Sequence, residues 1–202
     1  MSEATTIYLA TGNAHKVEEI AAMLAGTPVR VASAAEVGGM PPVDETGSTF
    51  AENARLKAAA LVPQLPAGAW ALADDSGLVV DILGGAPGIL SARYAGPDAT
   101  DDENNRRLMD ELAMVPPARR SARFICCFVL LNAEGREYIF SGECPGRIIN
   151  TRRGIGGFGY DPLFVPDGHE DTFAELGADV KNRLSHRAKA VQSLLEWLSA
   201  RG

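Results

Sequence analysis

Apolar residues along the chain switch between strand-like and helical spacing, the pattern of an α/β protein. Thr6-Ile7-Tyr8-Leu9-Ala10 is a short β-rich run broken by Thr11-Gly12-Asn13; Val17, Ile20, Ala21 and Leu24 then recur at i, i+3, i+4 and i+7. Val29 to Ala32 reads as the next strand. Thr49-Phe50-Ala51-Glu52 has capping-box spacing and opens a helix that good helix formers carry to Leu61, where Pro63 and Pro66 stop it. Trp70 to Ala73 is an apolar strand that ends in Asp74-Asp75-Ser76-Gly77, with apolar residues resuming from Leu78 to Leu83. After a loop at 84–88, Thr100-Asp101-Asp102-Glu103 is a second capping box, opening a helix through about Leu112. Ala122 to Leu131 and Glu137 to Ile149 flank Asn132-Ala133-Glu134-Gly135 as a long hairpin. Residues 154–169 are rich in Gly and Pro, and Ser185 caps a last helix with Ala188, Val191, Leu195 and Leu198 on one face.

No repeat, low-complexity tract or long linker interrupts this pattern, so a single domain over residues 1–202 is expected. Its expected architecture is α/β: a mixed twisted sheet with flanking helices and a long antiparallel hairpin insertion, in two lobes around a central cleft. Composition narrows the class. With 46% hydrophobic residues and a net charge of −7, the chain can pack a core, and its acidic balance excludes the basic face that broad nucleic-acid binding needs. The strongest uncharged apolar run, Phe124 to Ala133, is strand-sized, short of the roughly 18 residues of a membrane span. MSEATTIYLA lacks a basic stretch followed by an apolar one, so no secretory signal is expected and the protein reads as cytoplasmic. The three cysteines show no CxxC, and the neighbours Cys126 and Cys127 face opposite sides of a strand; all three read as small core residues.

A few segments carry candidate chemistry. Asp74-Asp75 follow an apolar strand, and strand ends are where open α/β sheets form clefts. Paired carboxylates there suit Mg²⁺ binding and water activation, or equally a turn in which Asp caps backbone N–H groups. The loop Thr11-Gly12-Asn13-Ala14-His15-Lys16 leads from strand to helix; it is a phosphate cradle of free N–H groups and a lysine, or an ordinary connection. The P-loop pattern GxxxxGK[ST] is nowhere in the chain.

Gly154-Ile155-Gly156-Gly157-Phe158-Gly159 matches GxGxxG, but Tyr160-Asp161-Pro162 cannot open the helix a dinucleotide fingerprint requires. Phe158, Tyr160 and Asp161 instead suit stacking on a base and accepting its N–H, or a glycine hinge with core aromatics. Ser185-His186-Arg187 lacks a GxSxG elbow, so His186 and Arg187 read as donors toward a carbonyl oxygen or an anion. Asn53 and Lys57, four apart, share a helix face. Asp101, Asp102 and Glu103 lie in a first helical turn, where capping accounts for them, and Asp171, Glu175 and Asp179 read as solvated.

In order along the chain, Thr11-Gly12-Asn13-x-x-Lys16, Glu45-Thr46-Gly47, Ala73-Asp74-Asp75-Ser76-Gly77-Leu78, Pro87-Gly88-x-x-Ser91-Ala92-Arg93-Tyr94, Gly157-Phe158-Gly159-Tyr160-Asp161-Pro162 and Ser185-His186-Arg187 are found. Together they resemble the noncanonical purine nucleoside triphosphate pyrophosphatases, the inosine/xanthosine triphosphate house-cleaning enzymes. Leu90 departs from the family, which commonly has an aromatic there. The resemblance implies Mg²⁺-dependent hydrolysis of dITP, ITP or XTP between the α and β phosphates, giving the monophosphate and pyrophosphate. It implies Asp75 as proton acceptor for the attacking water and as metal ligand, Glu45 as second carboxylate on Mg²⁺, and Asp74 in support. Thr11, Gly12, Asn13, Ala14, His15, Lys16, Lys57 and Ser76 would hold the triphosphate. Phe158, Gly159, Tyr160, Asp161, Lys181, His186 and Arg187 would form the base pocket, and the active form would be a homodimer. The competing readings are a pyrophosphatase of pyrimidine or methylated nucleotides and a non-catalytic nucleotide-binding module.

Overall fold

A computed structural model describes residues 5–27 and 29–200; the first four residues of the N-terminal stretch read above lie outside the described residues. In chain order the elements are β1 (Thr6–Leu9), α1 (Ala14–Leu24), β2 (Arg30–Ser33), α2 (Phe50–Leu61), β3 (Trp70–Val80), α3 (Asp101–Glu111), β4 (Ser121–Asn132), β5 (Glu137–Ile148), β6 (Phe164–Pro166), α4 (Phe173–Leu184) and α5 (His186–Ser199). The sheet order is β2-β1-β3-β4-β5-β6. β1 pairs parallel with β2 and β3, whereas β5 pairs antiparallel with β6, so the sheet is mixed as expected. No helix among the described residues is long and apolar enough to cross a membrane.

Contacts group the chain into two compact units, one within residues 1–75, 126–141 and 190–202 and the other within 76–125 and 142–189. In the first, β1 is buried on both faces, as its continuous apolar run requires. Ile7 and Leu9 pack with Ile20 and Leu24 of α1, Leu72, Phe128 and Val191. Tyr8 and Ala10 face the other way, onto Ala54, Ala58 and Leu61 of α2. This second layer is rich in alanine, with Ala54 and Ala58 of α2 clustered with Ala71 and Ala73 of β3. In the second unit, Leu78 and Val80 pack with Leu108 and Leu112, Phe124, Tyr160, Phe164 and Phe173. Cys126, Cys127 and Cys144 form no disulfide and are buried, as read from sequence.

Helix starts follow the sequence closely. Thr100 and Glu103 complete their box at α3, and the Ser185 hydroxyl accepts the Ala188 N–H at 3.2 Å in α5. At α2 only half of the expected box forms: Thr49 accepts the Glu52 N–H, but the Glu52 carboxylate turns back to the N–H and hydroxyl of Ser48, both at 2.7 Å. Two expectations need correction. First, the strand expected to end at Ala73 runs on through Asp74-Asp75-Ser76-Gly77 to Val80, so both acids lie inside a strand and not at its end. Ladder hydrogen bonds use only the backbone, so buried aspartates are tolerated where lysines face them. Second, a helix that the sequence pattern does not predict, α4, is opened by the complete capping box of Thr172 and Glu175. Gly177, with φ 79°, interrupts the helix and obscures its period.

Candidate active site

In the first unit the acids and lysines converge. Asp74 and Asp75 are consecutive on β3, so their side chains leave opposite faces of the strand, and each meets its own lysine. Lys16, from the first turn of α1, holds its Nζ 3.4 Å from Asp74 Oδ1, which also accepts from the Cys126 thiol at 3.6 Å. Lys57, from α2, holds its Nζ 2.7 Å from Asp75 Oδ1 and 3.5 Å from Glu45 Oε2. One turn earlier on α2, Asn53 directs Nδ2 at Asp75 Oδ2 (3.5 Å) and accepts the Gly47 N–H on Oδ1 (2.8 Å). Gly47 is needed here: a Cβ on it would lie 2.7 Å from Asn53 Oδ1. Asn53 thus fastens the Glu45–Gly47 segment and Asp75 to the same helix.

Asp75 is only 6% exposed. Burial pushes its carboxyl above the ordinary aspartate value; Lys57 and then Lys16 pull it back, and Glu45 adds to the rise. Among the described residues no three His, Cys, Asp or Glu side chains gather as a metal cage. Glu45 and Asp75 are nevertheless two hard oxygen donors about one ammonium, with like-charge repulsion left for a cation to relieve. That set fits Mg²⁺, which keeps several waters and takes one or two carboxylates with phosphate oxygens completing its shell.

Of the loop expected to cradle phosphate, Lys16 reaches an acid. Asn13 caps α1, its Oδ1 accepting the Lys16 N–H at 3.2 Å and its own N–H going to Thr11 Oγ1 at 3.1 Å. Gly12, Ala14 and His15 are exposed. Thr11 is half-buried.

The second unit carries a second cluster. Asp161 Oδ2 accepts from Lys181 Nζ at 2.6 Å and from the Phe158 N–H at 2.9 Å, with both Asp161 and Lys181 buried. A Cβ on Gly157 would fall 2.1 Å from Asp161 Oδ2, and its φ of 72° also demands glycine. The Lys181 ammonium lies 4.5 Å from the centroid of the Phe158 ring and the Arg187 guanidinium 5.8 Å from it, a cation on an aromatic face in each case. Arg187, 1% exposed, donates to Ser76 Oγ at 3.0 Å, and His186 stacks on Phe124 with centroids 4.8 Å apart. Tyr160 points into the core and donates its hydroxyl to the Ser91 carbonyl at 2.9 Å; burial pushes its phenol up. The half-buried Phe158 is therefore the ring with an accessible edge. Cys126 and Phe124 are the contacts that spacing does not reveal, since both read as ordinary strand residues.

A model of the Ham1 family matches residues 7–197. The chain belongs to the Ham1 family. A dITP/XTP pyrophosphatase of Opitutus terrae is 52% identical over 95% of this chain and 97% of its own length, and one of Geobacter sulfurreducens is 47% identical over 98% of each. The solved structure of a HAM1 protein from Coxiella burnetii matches with a TM-score of 0.87 at 39% identity, covering 97% of this chain and 99% of that one. The resemblance drawn from the ordered motifs is thereby borne out, and the mixed sheet with flanking helices is the Ham1 architecture.

Proposed function

We propose that this Ham1-family chain, acting as a single domain, hydrolyses the noncanonical purine nucleoside triphosphates dITP, ITP and XTP to the monophosphate and pyrophosphate, cleansing the nucleotide pool. The observation that carries the reading is the gathering of Asp75, Glu45, Lys57 and Asn53 about one point, with Asp74, the preceding residue of β3, paired to Lys16 of α1. It is supported by relatives that carry the name dITP/XTP pyrophosphatase.

Attack of water on the α phosphorus forms one P–O bond and breaks the bond to the β,γ-pyrophosphate leaving group. Asp75 takes the proton from that water, held in place by Lys57 and Asn53. A triphosphate brings about four negative charges, so Lys16 and Lys57 are there to face the phosphates as charge builds on them. Thr11, Gly12, Asn13, Ala14, His15 and Ser76 complete the phosphate contacts. Mg²⁺, when bound by Glu45 and Asp75, neutralises phosphate charge and makes water more acidic.

Phe158, Gly159, Asp161, Lys181, His186 and Arg187 recognise the base, while Tyr160, packed in the core, anchors the segment behind them. Hypoxanthine and xanthine present a carbonyl oxygen at the 6-position, an acceptor for His186 or Arg187, whereas adenine presents an amino donor against donors. Such a mismatch costs about 1–3 kcal/mol per unpaired contact. Guanine shares the carbonyl, so its discrimination belongs to the 2-position. We place the enzyme in the cytoplasm as a homodimer.

A panel of dITP, ITP, XTP, dATP and dGTP, with and without Mg²⁺, read by pyrophosphate and orthophosphate release, tests this. The expected result is pyrophosphate from the first three, lost on chelation. Orthophosphate as the sole inorganic product, or no turnover, overturns it.

A further inference from the structure

The segment 154–159 carries Phe158, yet four of its six residues are glycines with no side chain to pack, so groups outside it must hold the ring in place. Asp161 fixes one side, through the Phe158 N–H. The other side is fixed by α3. Asp101 Oδ2 accepts the Gly159 N–H at 2.6 Å, and Asn105 Nδ2 donates to the Gly159 carbonyl at 2.7 Å. Both backbone polar groups of Gly159, the residue after Phe158, are therefore tied to side chains four apart on one helix face.

Asn105 is fully buried, and its Nδ2 also donates to the Asp101 carbonyl at 2.6 Å. Turning the amide over would set its oxygen against two carbonyl oxygens, so the orientation is dictated. The consequence is that Asn105 Oδ1 is left buried without a hydrogen-bond donor. That is a cost to folding which an apolar residue at 105 would not carry. Helix capping does not account for it: the α3 cap is already completed by Thr100 and Glu103, and Asn105 lies beyond the cap. Asp102, the neighbour of Asp101, turns instead to Arg152 at 2.7 Å.

We infer that Asp101 and Asn105 are positioning residues of the base-recognition segment, clamping Gly159 so that the Phe158 ring is held at Lys181 and Arg187 for stacking on the purine. The inference rests on the functional reading above and deepens it. Neither residue touches the substrate; each acts through the backbone of Gly159. This corrects the sequence reading of Asp101 as a capping residue alone.

The test compares kcat/KM for dITP and for dATP in the wild type and in Asp101→Ala, Asn105→Ala, Asp101→Asn and Asp102→Ala, alongside amide hydrogen exchange of residues 154–160. Asp101→Ala and Asn105→Ala are expected to lower the dITP:dATP ratio on the order of tenfold to a hundredfold, mostly through KM for dITP, and to speed exchange in the segment. Asp101→Asn, whose amide oxygen still accepts the Gly159 N–H, and Asp102→Ala, which removes charge from the same turn, are expected to keep the wild-type ratio. Equal losses on both substrates, a loss in Asp102→Ala as large as in Asp101→Ala, or unchanged exchange in Asp101→Ala overturns the inference. A wild type with no preference for dITP overturns the functional reading instead, and exchange then decides the clamp by itself.

Discussion

Lys57 holds its ammonium 2.7 Å from Asp75 and 3.5 Å from Glu45, so one cation is shared by two carboxylates that come from separate segments of the chain. A buried acid whose ion-pair partner Lys57 is shared with Glu45 is poised to exchange that partner for others, and this makes Asp75 the residue on which the chemistry turns.

Asp75→Asn is expected to lower pyrophosphate release from dITP by at least a factor on the order of 10³, the scale of a lost general base. Its stability should move the other way. Burial raises the Asp75 carboxyl in the folded state, so the contribution of this group is full at low pH and is lost as pH rises through the folded value. The asparagine variant should therefore melt no lower than the wild type at neutral pH, with a flatter pH dependence above the ordinary aspartate range. Circular dichroism melts across pH 4–8 check this, and a strongly destabilised variant would refute it.

Arg187 presents a planar fork that a lysine cannot reproduce. Arg187→Lys, which keeps charge and much of the buried volume, is expected to reduce kcat/KM for dITP by roughly five- to 150-fold, equivalent to about 1–3 kcal/mol. dATP turnover should change little. Equal reductions on both substrates remove Arg187 from base recognition.

Asp161 and Lys181 form a buried pair at 2.6 Å. Asp161→Ala removes the carboxylate that faces the Lys181 ammonium and the acceptor of the Phe158 N–H, and is expected to cost about 3–5 kcal/mol in urea unfolding. Adding Lys181→Met should recover much of that stability while leaving dITP selectivity low. Full recovery of selectivity in the double variant contradicts a role in the base pocket.

The capping glutamates set the response to acid. Backbone N–H groups of Thr100 and Thr172 lower the carboxyls of Glu103 and Glu175 below the ordinary value of 4.5. Depressed carboxyls stabilise the fold above their unfolded value, and the contribution disappears as pH falls through the folded one. Glu103→Gln and Glu175→Gln are expected to weaken the drop in melting temperature on acidification below about pH 4.5, relative to the wild type.

Periodic segments are legible in the sequence: α1, α2, α3, α5 and the β4–β5 pair fall within a few residues of expectation. What misled was residue type inside β3, where Asp74-Asp75-Ser76-Gly77 looks like a break. Propensity describes a half-wet strand; here lysines on neighbouring helices satisfy the acids, and that is a long-range fact. The same reason hid Asp101 and Asn105, whose partner Gly159 lies more than fifty positions away. Lys181 entered through family likeness alone, because twenty residues and an interrupted helix separate it from Asp161.

Because the two aspartates occupy adjacent rungs of β3, strand length is the alignment device. Removing one residue between Trp70 and Asp74 would rotate the whole acidic dipeptide by half a pleat, handing Lys57 the wrong oxygen and turning Asp75 toward Cys126. Such a strand forgives exchanges among similar side chains but admits no insertion or deletion. Divergence in this protein is thereby channelled into substitution at these positions, and changes of length are confined to its loops.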